Sequence, residues 1–437
     1  METIAHDLDS GNASREWRGS PPAPRTRREH DENGNITAES YFTLEGKPTL
    51  SWFGVHKVVT FYTDRGQRSS LLFLDANEKP TIPRVVVGET TREGPARLEW
   101  NWDESGNNTQ VRALNLTGDP SDSWTLPLPA IQWGREGEIP LPPSVASVSC
   151  RYDERGNPTE LIHRGRDGNI LPPTRSVRGI TSRGRLTLAY DDQGNLTEAA
   201  LYGPDGKLAR EVGVARMTAL HDEDGRPLEY VLYGPEGRIA GPSKLSRVRF
   251  SYDRQGNRTS EAYFDTEDKP LVGPAGYAEA RFSYDLGGNL TDSRFLDAQG
   301  NPVQTRVVVE RIPDEPGMPM TDLKVGDILI RYADTPITHT MQLYELKRRE
   351  DPDRTPRPAE VLRDGKRVEV LIPTGLSGSD VWWEIRRRGG RAGGFNPFVA
   401  LRSAPTGMTP PLTLGNVRLR TEVIPAAPPA APADPAD

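Results

Sequence analysis

A block built on Tyr-Asp-x-x-Gly-Asn recurs along most of this chain, and a recurring turn signature commits a sequence to repeated hairpins before any other feature is weighed. Full copies stand at Tyr152-Asp153 with Gly156-Asn157, Tyr190-Asp191 with Gly194-Asn195, Tyr252-Asp253 with Gly256-Asn257, and Tyr284-Asp285 with Gly288-Asn289. Looser copies begin at His30-Asp31, Thr63-Asp64, Trp102-Asp103 and His221-Asp222. From Asp191 onward the repeated aspartate is spaced by 31, 31 and 32 residues, after irregular earlier intervals. A period of this size marks an array of similar units.

One unit can be read from Arg249 to Phe264. Phe250 and Tyr252 alternate with polar residues, Gly256-Asn257 reverses the chain, and a second run leads to Tyr263-Phe264. That pattern predicts a β-hairpin with one apolar face. Gly and Asn tolerate the positive φ of a tight turn, and the leading Asp can accept hydrogen bonds from the turn's amides. A second turn closes each unit, as at Asp205-Gly206-Lys207, Glu236-Gly237-Arg238, Asp268-Lys269-Pro270 and Gly300-Asn301-Pro302. A lone hairpin buries too little apolar surface to be stable, so neighbouring units must pair.

On these residues the stretch 30–305 resembles the YD-type repeats of bacterial proteins, of which the Rhs shells are the best-known relatives. No polymorphic toxin core follows it, and a toxin shell is not inferred. A second resemblance rests on Val307 to Ile312, then Leu323-Lys324-Val325-Gly326-Asp327-Ile328-Leu329, a helix candidate over 340–349, and a hairpin over 360–371. This order resembles the bacterial type of PDZ domain over about 70 residues. It implies that Leu323 plugs the core from a short helix, that Gly326 supplies a turn conformation other residues resist, and that Asp327 ties the turn. The charges of Arg363 to Lys366 are expected to face water.

The PDZ likeness also implies a groove between a strand and the longer helix, in which an extended peptide adds as a new strand. His339, Leu343 and Leu346 fall at helical spacing and are candidates for its wall, although Leu343 and Leu346 could face the core and His339 could be a solvated helix-start residue. The strand that family members carry ahead of Val307 is replaced here by the last repeat. Either Ser293 to Leu296, with Phe295 and Leu296 as groove residues, doubles as the groove strand, or the groove is degenerate.

The expected fold class is mainly β, an array of β-hairpin repeats plus a small α+β PDZ-like domain. The expected organisation is a disordered leader (1–29), the repeats (30–305), the PDZ-like domain (306–376), and a linker with a disordered Pro/Ala-rich tail (377–437). Only 35% of the 437 residues are hydrophobic, with 42 Gly and 40 Pro, which suits a turn-rich β protein better than a helical bundle. The mean hydropathy of -0.64 and the lack of any long apolar run exclude a membrane helix. Met1 to Asp7 has neither the basic region nor the apolar core of a secretory signal, so a soluble chain of undetermined compartment is expected. A net charge of -7 argues against nucleic acid as a partner.

No catalytic residues, metal site or cofactor are expected. The histidines (His6, His30, His56, His163, His221 and His339) stand in no ligand spacing. Gly375 to Ser379 is not a nucleophile elbow. The acidic turns Asp222 to Gly225 and Asp31 to Asn35 lack a full calcium loop. Cys150, the only cysteine, reads as a small buried strand residue. The functional expectation is a non-catalytic binding or scaffold protein with a peptide or protein segment as partner. Two rivals remain open: the substrate-recognition portion of a bacterial protease or other multidomain enzyme, and a cell-surface or carbohydrate-binding array with Trp52, Trp100, Trp102, Trp124 and Trp133 as platforms.

Overall fold

The computed structural model describes residues 25–51, 53–87, 90–122, 144–176, 179–181, 184–209, 214–236, 245–273, 276–312, 322–347, 356–372, 412–414 and 417–424. The expected sites at Trp52, Trp124, Trp133, His6, Gly237 and Gly375 to Ser379 lie outside them. The described residues fall into two compact units. The first holds those within Met1–Thr218 and Tyr233–Arg238; the second holds those within Ala219–Leu232, Ile239–Ala392 and Val399–Asp437.

The first unit is a run of antiparallel hairpins: β1 (Arg25–His30) with β2 (Ile36–Phe42), β3 (Lys57–Tyr62) with β4 (Arg68–Leu74), β7 (Arg97–Trp102) with β8 (Asn108–Leu114), β9 (Ser147–Tyr152) with β10 (Pro158–Arg164), and β13 (Arg185–Tyr190) with β14 (Leu196–Tyr202). Successive hairpins pair edge to edge through β2–β3, β4–β7, β8–β9 and β10–β13, and β15 (Arg216–His221) joins β14 through Arg216 to Thr218. Two short side ribbons, β5 (Arg84–Val87) with β6 (Thr90–Glu93) and β11 (Thr174–Ser176) with β12 (Gly179–Thr181), interrupt the run. The array thus begins at Arg25, inside the segment expected as leader. Its first strand is wholly polar and shows no apolar period; pairing with β2 and the Arg28–Glu39 bridge at 2.7 Å hold it.

The second unit holds β16 (Pro227–Tyr233), β17 (Arg247–Tyr252) with β18 (Arg258–Phe264), β19 (Glu279–Tyr284) with β20 (Leu290–Leu296), and the short β21 (Pro302–Val303). A separate sheet follows, built from β22 (Thr305–Arg311), β23 (Ile328–Tyr332), β24 (Thr335–Pro336), β25 (Arg357–Arg363), β26 (Lys366–Ile372), β27 (Leu412–Leu414) and β28 (Val417–Val423), with the helix α1 (Thr340–Lys347). Its path is β26-β25-β23-β22-β28-β27, with β24 beside β23. Residues 412–414 and 417–423, expected as part of a linker and tail, are therefore strands. Val417 to Val423 alternates apolar with polar residues, a period-2 signal too short to stand out beside a Pro/Ala-rich run.

Most repeat turns are held the same way; in the turn after β3 the position falls on Thr63 rather than Asp64, and its hydroxyl accepts from the Gln67 amide at 3.2 Å. Asp153 Oδ1 accepts from the amides of Arg155 (2.9 Å) and Asn157 (2.8 Å), while Oδ2 accepts from Asn157 Nδ2 (2.9 Å). Asp31, Asp191 and Asp253 repeat this set. Gly156 has φ of 81°, where a side chain is disfavoured. The second turn reuses the frame: the Asp297 amide donates to the Asn301 carbonyl and the Gly300 amide to that of Asp297.

The aromatic that precedes each turn, followed by Asp in most repeats and by Thr63 at Tyr62, has a role beyond the apolar face. Seven of the described repeat hairpins shift register at this aromatic, so that Ser251 faces Ser260 but Tyr252 faces Arg258, leaving Thr259 as the extra residue of a β-bulge. The ring then reaches the preceding repeat. Tyr62 donates to the Ile36 carbonyl, Trp102 Nε1 to Arg68, Tyr152 to Asn108, Tyr190 to Pro158, Tyr252 to Pro227 and Tyr284 to Arg258, at 2.8–3.0 Å. Each acceptor directly follows the closing residue of the earlier turn. The Tyr-Asp pair is therefore two devices: the Asp closes its own hairpin, and the Tyr staples it to the one before.

A core cluster of the first unit gathers Tyr41, Phe53, Val58, Leu71, Phe73, Leu98, Trp100, Val111, Val148 and Cys150, and a smaller one holds Leu201, Ala209 and Ala215. Trp100 is buried under the Arg68 guanidinium, and Trp102 is partly buried with its N–H engaged. These two tryptophans serve the core and the inter-repeat staple. Three repeats bury a carboxylate: Glu39 beneath Tyr41, Glu160 beside Arg185, and Glu261 with Arg258 (3.2 Å) and Tyr263.

Candidate functional site

The second sheet places the residues expected to carry recognition. Leu323 is buried, and it approaches through a bend and turn rather than a helix. Gly326 has φ of 91° and donates its amide to the Val309 carbonyl, which sets the turn against β22. Asp327 is almost fully buried. It accepts from the Lys324 amide at 2.8 Å and from the Arg363 guanidinium at 2.8 and 2.6 Å. Burial works to raise the Asp327 carboxyl, but the Arg363 and Lys324 hydrogen bonds and charges hold it below the ordinary carboxylate value. Arg363, expected to face water, instead folds back from the end of β25 and also caps the Asp322 carbonyl at 2.7 Å.

The helix α1 follows Ile337, whose buried side chain and bond to the Ile330 carbonyl pin the approach. Gln342 Oε1 accepts from the Thr338 amide and hydroxyl at 2.9 and 3.1 Å, a capping arrangement one turn into the helix. The amide at the first helical residue, Thr340, finds its acceptor far away in sequence: Thr421 Oγ1 of β28 at 2.9 Å. The two threonine hydroxyls also meet at 3.0 Å.

The candidate wall residues divide. Leu343 is wholly buried, together with Tyr344, and is a core residue; Leu346 is half-buried. His339 is wholly buried rather than a solvated helix start. Its Nε2 lies 2.7 Å from Ser293 Oγ, and its ring meets that of Phe295 at 5.2 Å in an edge-to-face contact. Desolvation pushes the imidazole down to about 3, so it is neutral across the physiological range. Phe295 is buried against Tyr277 and Phe282 as well, and Leu296 is buried in the ladder opposite Glu279 and Pro302.

Ser293 to Leu296 accordingly belongs to β20, paired with β19 and β21, and does not supply the strand beside β22. That place is taken by β28, antiparallel from Thr305↔Val423 to Arg311↔Arg418. The Ile424 amide extends the ladder to the Gln304 carbonyl. Leu419 and Thr421 are buried on one side, while Glu422 bonds Arg306 at 2.6 Å and Arg420 at 2.8 Å on the other. β27 pairs with β28 in turn, and both lie against α1. Thr421 and Glu422 are thus the contact residues that reasoning from the Gly-Asp motif missed; the alternation of Val417 to Val423 was the available signal.

Cys150 is buried in β9, and desolvation pushes its thiol up to about 11, which suits a packing residue. Among the described residues no group of three or more His, Cys, Asp or Glu is placed to hold a metal ion, and no helix is long and apolar enough to cross a membrane.

No family model matches the chain, and no curated protein matches it. Among solved structures, 84% of the chain is similar to part of the crystal structure of TcdB2-TccC3-TEV, with 11% identity and a TM-score of 0.19, covering 19% of that chain. Over 64% of its length the chain is also similar to part of the structure of the Photorhabdus luminescens Tc holotoxin pore, with 13% identity and a TM-score of 0.16, covering 17% of that chain. The chain spans less than a quarter of the length of either.

Proposed function

We propose that this chain is a non-catalytic binding protein in which the sheet β22 to β28, with α1, acts as a PDZ-like unit taking up an extended peptide as an added strand, while the hairpin array serves as a positioning surface. The observation that carries the reading is the edge of β22. It accepts a strand from more than a hundred residues further along the chain, beside a helix whose first amide is satisfied by that strand. Strand addition of this kind draws affinity from main-chain hydrogen bonds and specificity from alternate side chains. The order of β22, the Leu323 to Asp327 turn, β23, α1 and the β25–β26 hairpin supports the PDZ-like assignment.

The test is a peptide-display screen against the full chain. The expected result is enrichment of peptides sharing an alternating consensus, with binding lost in Val308→Pro, which interrupts the β22 ladder. Absence of any enriched sequence with a folded chain whose β22 edge has been freed of β28 would sink the reading.

A further inference from the structure

The strand-addition edge of β22 is occupied by the chain itself, and the occupant displays the chemistry that the edge accepts. Three side chains of β28 meet fixed partners. Leu419, 1% exposed, fills the interior. Thr421 presents its hydroxyl to the Thr340 amide, a second capping contact beside the local one between Thr338 and Gln342. Glu422 sits opposite Arg306 in register and bonds it at 2.6 Å. The ladder continues past Val423 to the Ile424 amide, so nothing in it engages a chain end.

We propose that β28 is an intramolecular stand-in for the peptide, and that the segment displacing it from a partner protein carries the pattern aliphatic-x-(Thr/Ser)-acidic within its length rather than at a carboxyl terminus. This rests on the strand-addition reading above. The pattern follows from the partners: a buried apolar position, a main-chain donor at the start of α1, and a cation. An acidic residue one place after the hydroxyl is required because alternation turns it to the opposite face, where Arg306 lies. The chain's own copy acts as a competitor at high effective concentration, so a foreign segment binds weakly until β28 is loosened.

The test uses the full chain and a labelled peptide spanning residues 416–424. Leu419→Asp expels the native strand, and retained amide protection in β25 and β26 reports that the rest of the sheet stays folded. The expected result is binding at least tenfold tighter to Leu419→Asp than to the wild type, weakened at least tenfold when the peptide carries Thr421→Val or Glu422→Lys. Indifference to those two changes overturns the inference. Selection by Leu419→Asp of strand peptides with an unrelated pattern overturns it while leaving strand recognition intact; failure to bind any peptide sinks both. Should Leu419→Asp unfold the sheet, Thr305→Cys with Val423→Cys, which face each other in the ladder, decides instead. Binding only after reduction supports displacement, whereas equal or absent binding in both states overturns it. A wild-type mass twice that of one chain, with β28 exchanged between copies, would identify a second copy as the source and overturn the partner-protein assignment.

Discussion

At Tyr152, one hydroxyl joins two repeats, since its ring belongs to one hairpin and its acceptor, the Asn108 carbonyl, to the one before. Tyr152→Phe keeps the ring and removes that hydrogen bond, so a loss of about 1 kcal/mol is expected, read as a lower urea midpoint with unchanged slope. Trp102 shows that the position asks for a ring with a donor rather than for tyrosine, because its indole N–H makes the equivalent bond. His339 sets a pH limit. Its folded-state value, about 3, lies below the unfolded 6.5, so the unfolded chain binds the extra proton between them. Stability is then full above pH 6.5 and falls by about 1.4 kcal/mol per pH unit as pH drops toward 3. Hydrogen exchange of α1 amides between pH 7 and 5 checks this, and His339→Phe should flatten the dependence. The aspartate and glycine of each turn were legible from sequence because their task is local. The tyrosine's bond was not, since its acceptor lies 25 to 44 residues away.

At the scale of elements, the turn between β22 and β23 depends on a charge pair that closes it from outside. Asp327→Asn leaves Arg363 without its carboxylate. Complete burial of such a pair would make the loss roughly 3–5 kcal/mol, and because Arg363 retains some solvent contact a loss of about 2 kcal/mol is expected, measured by thermal unfolding. The folded-state carboxyl lies below its unfolded value, so the pair's stabilisation is present above about pH 4 and is lost as pH falls through the depressed value. The Leu323 to Asp327 turn could be read from Gly326 and the flanking apolar residues. Arg363 could not, because a charged residue beside a tight Asp-Gly turn looks the same in sequence whether it faces water or a buried carboxylate. In the same way α1 is short and weakly patterned. It is organised by Thr421, and Thr421→Val should cost about 1 kcal/mol and raise amide exchange at both Thr340 and β28.

Over the whole molecule, the turn aspartates form an acid-sensitive set. Asn35 holds Asp31 below its usual value through its side-chain and backbone donors, and the backbone amides of Asn107 and Asn301 do the same for Asp103 and Asp297. Each contributes stability above its unfolded value that is lost as pH falls through the lower folded one, so the urea midpoint should fall steeply below about pH 4. Asn replacement of several turn aspartates should flatten that fall. Unit by unit, the hairpins were written into the sequence: Asp-x-x-Gly-Asn turns, alternating strands and a polar second turn are all local choices that neighbouring residues make without help. The tertiary structure alone decided which strands lie side by side. It added the polar β1 to the array, confined Phe295 and Leu296 to the last hairpin, and brought Val417 to Val423 to the edge of β22. A strand's period states which face is buried, whereas its partner depends on which main-chain edge is unpaired once everything else has folded, and that is a property of no single segment.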